Sequence, residues 1–385
     1  MTALQSTQLI LDVLRPNQTP TRWESDRIRA NADWDDLAVR SIVLGLAPQL
    51  YRRFSAWGNE IPARAAAKFT ATYQATANRN TGIYQQLDEI LRACDQCSLE
   101  PIALKGIHLA AKLYPDRALR PMNDIDLLFK PDELPAAEDL LESIGYGGKH
   151  KSAELGAGVT KHTSTFKRVS DQAATTNPYL SNASGCIIEP HVSLEESWFG
   201  LKVDITPGVR ERSIEVDLNG QPGRVLAPED LLLHLCVHFC FHLVMGAPSM
   251  VQLSDLLIMT QVDQLDWPRL IDRSNATRSI PFVLAALSLA QKLLGAPVPD
   301  DAIDQLAQLT SPRQRQRIQQ LGLIDVLRRT QQKPLTSIGQ RIQRGFHDRA
   351  ETARWAQDWR GRWQVWQTLL KVFKTDTGRM ILRKG

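Results

Sequence analysis

Apolar residues in the first part of the chain recur with the spacing of helices. One set begins behind Asp33, whose carboxylate is typical of a helix N-terminus, and runs toward Tyr51. A second set follows the i, i+4, i+7 rule from Ile83 to Cys97 and predicts one buried face of a long helix. We therefore predict an N-terminal helical region over residues 1–98.

The pattern changes after residue 98 to short apolar runs bounded by turn residues. Such runs are typical of buried strands, and the segments between them keep a helical period. The polar stretch Ser170–Gly185 separates the last two strands and predicts a mobile loop. Strands are predicted at 101–104, 124–129, 163–169 and 186–191, with helices at 107–113 and 133–144. Residues 99–225 should then form an α/β core.

Helical periodicity returns over residues 226–330. The stretch Leu231–Ser254 lacks Asp, Glu, Lys and Arg and is long enough to span a bilayer, but it contains three histidines, Gly246 and Pro248. We interpret it as a buried helix that starts at Pro228 and ends near Gly246. Together these patterns predict an α+β fold, in which a small mixed β-sheet is flanked by N- and C-terminal helical regions.

A linker is predicted at residues 331–340, followed by a basic tail at 341–385. Apolar side chains of this tail fall within about 80° of a helical wheel, which predicts a strongly amphipathic helix. Three interpretations stay open: packing on its own domain or on a partner subunit, attachment to an anionic membrane surface, and nucleic-acid binding. The stripe contains Trp355, Trp359, Trp363, Trp366, Leu370 and Phe373.

Charge is distributed unevenly along the 385 residues. From Arg313 onward the chain carries 17 Lys or Arg against 5 Asp or Glu, whereas the preceding residues carry 29 against 37. The acidic body argues against a nucleic-acid enzyme, because a processive grip needs basic charge near the active cleft. The hydrophobic share of 43% suffices to bury a core and excludes a disordered or collagen-like chain.

Two features indicate a cytoplasmic protein. The stretch Met1–Arg15 has no basic segment ahead of its apolar residues, so it does not resemble a signal peptide. The five cysteines are an odd number, and Cys94, Cys236 and Cys240 lie in apolar helical patterns, which indicates reduced thiols. Attachment of the tail to lipid would make the protein peripheral to the membrane.

Candidate chemistry lies in a Lys-Gly loop and an Asp-x-Asp strand. Because strand side chains alternate with period two, Asp124 and Asp126 point to the same face and can share a hard cation. Such a pair is typical of two-metal phosphoryl transfer, in which Mg²⁺ ions bridge triphosphate oxygens. Glu189, at a strand-like position, is the candidate third carboxylate. Lys105-Gly106 before a helix supplies a phosphate-binding loop.

Three motifs follow one another in this core. They are Leu104-Lys105-Gly106, Leu113-Tyr114-Pro115 and Arg120-Pro121-Met122-Asn123-Asp124-Ile125-Asp126-Leu127-Leu128. With them, the chain resembles the uncharacterised nucleotidyltransferases of the DNA polymerase β-like superfamily over roughly residues 30–300. The resemblance implies a nucleotidyltransferase core at residues 99–225 and Mg²⁺-dependent nucleotidyl transfer.

The resemblance also implies site roles. Gly106 would lie in the phosphate loop, but Ile107 follows it where the wider superfamily has serine. Charge from Lys105 or Arg120 would then replace the serine hydroxyl as a nucleotide contact. The implied metal ligands and catalytic carboxylates are Asp124, Asp126 and Glu189.

Histidines are the remaining candidate site residues. His191 follows Glu189 on the predicted strand, and His234, His238 and His242 repeat every four residues along one helical stripe. The stripe fits core histidines behind a site, the wall of a substrate pocket, or a metal site closed by further ligands. We take His191, His234 and His238 as candidates for the pocket wall.

The predicted function is transfer of a nucleoside monophosphate from an NTP, such as ATP, to an unknown hydroxyl acceptor. Two Mg²⁺ ions would assist the reaction, and pyrophosphate would leave. The alternative is a non-catalytic protein of the same fold that senses nucleotide or serves as a membrane-docked scaffold. The absent serine and the amphipathic tail motivate that alternative.

Overall fold

The structure, a computed structural model, describes most of the chain. Helices surround one mixed β-sheet, which confirms the predicted α+β fold. Within the described part, no helix combines the length and apolar character needed to cross a bilayer. The described residues are 2–16, 33–55, 61–150, 164–168, 186–263, 265–327 and 337–374. The predicted loop at 170–185 and most of the predicted linker at 331–340 lie outside them.

The N-terminal region is helical, as predicted. The helix expected from Asp33 to Tyr51 is two helices instead, because Gly45 adopts a left-handed φ of 73° and turns the chain between them. Asp33 caps the first of the two by accepting a hydrogen bond from the Asp36 backbone N–H. The described helices of this region are α1 (Ala3–Leu14), α2 (Trp34–Val43), α3 (Ala47–Ser55) and α4 (Ala63–Gln96).

The core region carries the strands. Those described are β1 (Ile102–Ala103), β2 (Asp124–Leu128), β3 (Tyr146–His150), β4 (Ser164–Arg168), β5 (Ile187–His191), β6 (Glu195–Trp198), β7 (Leu201–Asp204), β8 (Ile214–Leu218) and β9 (Gln221–Val225). Seven of them form one sheet in the order β3-β4-β5-β2-β1-β9-β8, and β6 and β7 form a separate hairpin. The pairs β2–β5 and β1–β9 are parallel.

Three helices and one helical turn connect these strands. Helix α5 follows β1 directly, and a 3₁₀ turn then leads the chain into β2. The α-helices are α5 (Lys105–Lys112), α6 (Leu134–Ser143) and α7 (Val209–Arg212), and the turn spans Arg117–Leu119.

Alternation along β2 gives the sheet two different faces. Ile125 and Leu127 are buried in a cluster with Ile83 and Leu87 of α4. Leu128 belongs to the other core cluster, which contains the C-terminal helices. Because side chains alternate along a strand, the two aspartates of β2 lie on that second side, between the sheet and the C-terminal helices.

The C-terminal region is also helical, as predicted. The uncharged stretch forms a buried helix that ends just before Gly246, whose φ is 72°. Asp266 caps a later helix through the Arg269 N–H, and Gly295, at φ 66°, ends another. The helices of its described part are α8 (Pro228–Val244), α9 (Met250–Met259), α10 (Trp267–Ala276), α11 (Ile280–Leu294), α12 (Asp300–Gln308), α13 (Pro312–Gln320) and α14 (Leu323–Val326).

The prediction of one tryptophan stripe along the tail is wrong. The tail contains α15 (Ile338–Trp355) and α16 (Trp359–Lys374), because extended backbone at Ala356 ends the first helix. Asp358 then starts the second by accepting a hydrogen bond from the Gly361 N–H at 2.7 Å. The continuous wheel that aligned the tryptophans therefore does not exist.

The tryptophans of the tail consequently differ in environment. Trp355 is buried and stacks on Phe282 of α11, with ring centroids 5.5 Å apart. Trp359 and Trp363 are 71% and 56% exposed. At Trp355, at least, the tail packs on its own protein.

Replacing Trp355 by Ala should lower the free energy of unfolding by about 3–5 kcal/mol, because a buried indole leaves a cavity beside Phe282. The matched change Trp359→Ala removes an exposed indole and should stay within ~0.5 kcal/mol of the unmodified protein. Urea unfolding of both variants measures the difference. Equal losses of stability would contradict the described packing of the tail.

A histidine is buried within α5. Burial, followed by the positive charge of Lys112, lowers the pKa of His108 from 6.5 to about 4. Its Nδ1 atom has no hydrogen-bond partner among the described residues. The folded protein therefore holds this imidazole in its neutral form.

Acid should weaken the fold through His108. Between pH 6.5 and 4 the unfolded chain binds a proton that the folded protein does not, so this contribution is complete above pH 6.5 and is lost as pH falls toward 4. The expected slope is at most ~1.4 kcal/mol per pH unit. Urea midpoints of His108→Leu should depend less on pH across this window, whereas His347→Leu, at an exposed position, should keep the original slope. An unchanged slope in His108→Leu would refute the assignment.

Candidate active site

The parallel pairing of β2 with β5 brings the predicted site residues together. Asp126 lies directly opposite Glu189 in this register, and Leu128 lies opposite His191. Paired residues of neighbouring strands point to the same side of a sheet, and positions two apart on one strand share a face. Asp124, Asp126, Glu189 and His191 consequently occupy one face.

Asp126 lies at the centre of this group and is 3% exposed. Its Oδ1 atom is 2.7 Å from His191 Nε2, and its Oδ2 atom is 3.1 Å from Lys105 Nζ. An ionised carboxylate only accepts hydrogen bonds, so both nitrogens donate. His191 Nε2 also lies 3.9 Å from Glu189 Oε2. One imidazole thus links the second and third carboxylates of the site.

The pKa values of the two aspartates of β2 are shifted in opposite directions. Burial, followed by the negative charge of Asp126, raises the pKa of Asp124 to about 6. Burial also disfavours ionisation of Asp126, but the Lys105 ammonium and the hydrogen bond from His191 outweigh it and hold the pKa of Asp126 well below its usual range. The cluster therefore carries more negative charge than its neighbours balance, which favours a cation.

Lys105 is the positive charge nearest to Asp126. Burial lowers its pKa, but the negative charges of Asp126, Asp124 and Glu196 outweigh burial, and the net pKa is raised. Its backbone adopts an uncommon positive φ of 42° as the chain leaves β1. The Leu104 N–H donates to the Asp126 carbonyl at 3.0 Å, which fixes the loop against the Asp-x-Asp strand.

Gly106 lies in the first turn of α5, beside the guanidinium of Arg120. A Cβ atom at this glycine would lie 2.4 Å from Arg120 Nη1 and 3.2 Å from Met122 Sδ. The residue before the helix is Leu104, whose side chain offers no acceptor to the first N–H groups. These N–H groups and the helix dipole are suited to an anion.

Arg120 is held by the helical region. Its Nη2 atom donates to Asp255 Oδ2 at 2.8 Å, and Tyr114 donates to Asp255 Oδ1 at 2.9 Å. Asp255 lies on α9 and is fully buried. Sequence reasoning did not identify Asp255, although a carboxylate inside an apolar helix was the available signal. The assignment of Arg120 to nucleotide binding stays a prediction, and its observed contact is structural.

The helix stripe of histidines meets a different carboxylate. His234 and His238 lie on α8 beside Glu196 of β6, and His238 Nδ1 is 2.7 Å from Glu196 Oε1. His242 instead contacts the carbonyl of Ala247 at 3.3 Å. Sequence reasoning did not identify Glu196, because the β6–β7 hairpin was not predicted.

Two groups of side chains among the described residues have the spacing needed to hold a metal ion. In each group the ligand atoms lie within 4.8 Å of one another. One group contains Asp126, Glu189 and His191, and the other contains Glu196, His234 and His238. A β-sheet that presents clustered carboxylates beside a glycine-containing helix start is an arrangement suited to phosphoryl transfer.

Comparison with known proteins assigns the class. The sequence pattern of the uncharacterised nucleotidyltransferase family matches residues 30–295, which is more than half of the chain. The chain belongs to this family and is a nucleotidyltransferase. The family resemblance seen in the motifs is thereby confirmed. No match was found among the curated proteins.

Solved structures of nucleotidyltransferases are similar to this chain at low identity. The solution structure of the antibiotic-resistance factor ANT(2'')-Ia has 15% sequence identity and a TM-score of 0.36, with 52% of this chain and 92% of that chain covered. Its crystal structure in complex with adenylyl-2''-tobramycin has 15% sequence identity and a TM-score of 0.35, with 51% of this chain and 98% of that chain covered. The crystal structure of an antigenic nucleotidyltransferase-like protein from Paracoccidioides brasiliensis has 16% sequence identity and a TM-score of 0.31, with 59% of this chain and 96% of that chain covered.

Adding a methyl group at Gly106 should destabilise the protein. Gly106→Ala places Cβ against Arg120, which Asp255 holds in place, so we expect a loss of about 1–3 kcal/mol in the free energy of unfolding. The matched change Gly339→Ala meets no atom within 4 Å and should stabilise α15 by about 0.5–1 kcal/mol. Chemical denaturation measures both. A stabilised Gly106→Ala protein would contradict the described close approach.

Proposed function

We propose that this protein transfers a nucleoside monophosphate from an NTP to a hydroxyl group of an acceptor molecule, with the help of Mg²⁺. The observation that carries the proposal is the convergence of Asp124, Asp126 and Glu189 on one sheet face beside the start of α5. Membership of a nucleotidyltransferase family supports nucleotidyl transfer as the reaction class.

The donor chemistry of this face fits magnesium. Carboxylate oxygens are preferred ligands of this hard cation, and three carboxylates converge here with Lys105 as the adjacent ammonium group. The raised pKa of Asp124 reflects burial and the repulsion from Asp126, which a divalent cation would relieve. Bound Mg²⁺ would neutralise triphosphate oxygens and favour attack at the α-phosphate.

The chain's own residues would orient the nucleotide. The N–H groups of the first turn of α5 lack a side-chain cap from Leu104 and can donate to phosphate oxygens. Lys105 lies against Asp126 and can turn its ammonium toward the triphosphate when a cation takes over the carboxylate. A lysine in this place would perform the role of the serine found after glycine in the wider superfamily.

Glu189 is the candidate base for the acceptor. Its side chain is 18% exposed, compared with 3% for Asp126 and 2% for His191, so it is more accessible to an incoming hydroxyl. His191 lies between Glu189 and Asp126 and would keep both carboxylates in place. A hydroxyl deprotonated at Glu189 would attack the α-phosphate, its oxygen would form the new bond to phosphorus, and pyrophosphate would leave.

Removing the charge at Asp124 should separate activity from stability. Asp124→Asn should lower nucleotidyl transfer by about 10²-fold or more, because one of the converging carboxylates is lost. The same change should raise the unfolding midpoint without metal, because it removes the repulsion between Asp124 and Asp126. The readouts are transfer of label from α-labelled NTPs to components of a cell extract, pyrophosphate release, and thermal unfolding.

Asp139→Asn is the matched control, since Asp139 is exposed in the middle of α6. It should leave transfer and unfolding unchanged. Full transfer activity in Asp124→Asn would falsify the proposed function. Nucleotide binding by calorimetry without any pyrophosphate release from the unmodified protein would instead favour a nucleotide sensor.

A further inference from the structure

The second cluster of metal-binding side chains lies outside the carboxylate face that carries the proposed reaction. Glu196 comes from the β6–β7 hairpin, and His234 and His238 come from adjacent turns of α8. Glu196 is 3% exposed and His234 is 2% exposed, and the His238 side chain is 12% exposed. The hairpin and the helix therefore bring three potential ligands together at a position that is largely shielded from solvent.

The geometry of this cluster suits a small cation. The ligand atoms of the three residues lie within 4.8 Å of one another. Zinc with bonds of about 2.1 Å separates tetrahedral ligands by roughly 3.4 Å, a distance between the 2.7 Å of the His238–Glu196 contact and the 4.8 Å limit. Histidines four residues apart lie on the same helix face, and the rings of His234 and His238 have centroids 6.0 Å apart.

The chemistry of the donors distinguishes this cluster from the magnesium site. Two imidazoles and one carboxylate are typical ligands of zinc, whereas magnesium prefers oxygen ligands. We propose that Glu196, His234 and His238 bind one zinc-type divalent cation, separate from the Mg²⁺ ions of nucleotidyl transfer. This inference goes beyond the proposed function and does not depend on it.

Burial of the Glu196 carboxylate would favour a bound cation. A buried carboxylate needs hydrogen bonds or compensating charge, and Glu196 Oε1 lies 2.7 Å from His238 Nδ1. A divalent cation would add positive charge to these interactions. The negative charge of Glu196 also contributes to the raised pKa of Lys105, so the cation would lie within electrostatic reach of the phosphate loop.

The position of the cluster also suggests what the cation stabilises. The β6–β7 hairpin begins four residues after His191, the last residue of β5. Ligation would join this hairpin to α8 and so connect the catalytic sheet with the C-terminal helices. Three protein ligands leave a fourth position for water.

Zinc titration of the metal-stripped full-length protein tests the proposal. Calorimetry and competition with a chromophoric chelator should show one tight zinc site in the unmodified protein. His234→Gln, His238→Gln and Glu196→Gln should each weaken that site by more than about 100-fold, since even indirect partners of metal ligands contribute 10–100-fold. Circular dichroism without zinc identifies any variant that fails to fold. Zinc affinities of the variants that do fold then test the proposal.

Two variants serve as controls. His242→Gln changes the third histidine of the stripe, which contacts the Ala247 carbonyl, and should keep the tight site. Glu189→Gln weakens the neighbouring group of potential ligands and should also keep it. Co²⁺ bound in place of zinc should give the visible absorption of a four-coordinate ion in the unmodified protein and in these two control variants. The three ligand variants should lack this absorption.

Two outcomes would overturn the proposal. One is the absence of tight zinc binding to the unmodified protein, which would make the Glu196–His238 contact a metal-free hydrogen bond. The other is zinc binding that survives in the folded His238→Gln and Glu196→Gln variants but is lost in Glu189→Gln. Neither outcome changes the expected effect of Asp124→Asn on transfer, so failure here is distinguishable from failure of the proposed function.

Discussion

The parallel pairing of β2 with β5 is the constraint on which the candidate site depends. It places Asp126 opposite Glu189 and His191 one pleat further along, although 58 residues (129–186) separate the two strands in sequence. A register shift by one residue would turn the Glu189 side chain to the opposite face. Ile125 of β2 and Ile188 of β5 are buried in the same apolar cluster and fix this register, because a shift of either strand would bury a carboxylate there.

Charge compensation explains how so many carboxylates are accommodated. Lys105 and His191 compensate Asp126, and Arg120 compensates Asp255 on α9. The Arg120–Asp255 pair links the segment leading into β2 with the C-terminal helices. Asp124 keeps a pKa raised to about 6, so the compensation is incomplete on the face where a cation is expected. The same interactions thus hold the regions together and leave Asp124 without full charge compensation on the proposed metal-binding face.

The sequence predicts which carboxylates share one face of the sheet, but it predicts their surroundings less well. Period-two alternation was enough to place Asp124 and Asp126 on one face, and the strand carrying Glu189 was recognised from its apolar residues. The Glu196 hairpin was missed, because β6 has no apolar alternation and β7, which does alternate, is only 4 residues long. The helical wheel gave a wrong prediction for the tail, because it assumes one continuous helix. Extended backbone at Ala356 divides the tail into two helices, and the periodicity of the sequence does not show this break.

The proposed reaction depends on Asp124, Asp126 and Glu189 binding the cations of nucleotidyl transfer. The most direct test is a crystal structure with Mn²⁺, as a substitute for Mg²⁺, and a non-hydrolysable NTP analogue, with the ions located by anomalous scattering. We expect Mn²⁺ between these carboxylates and the triphosphate, with phosphate oxygens at the start of α5. A triphosphate bound elsewhere, with Lys105 still paired to Asp126 and no Mn²⁺ on this face, would contradict the proposed site.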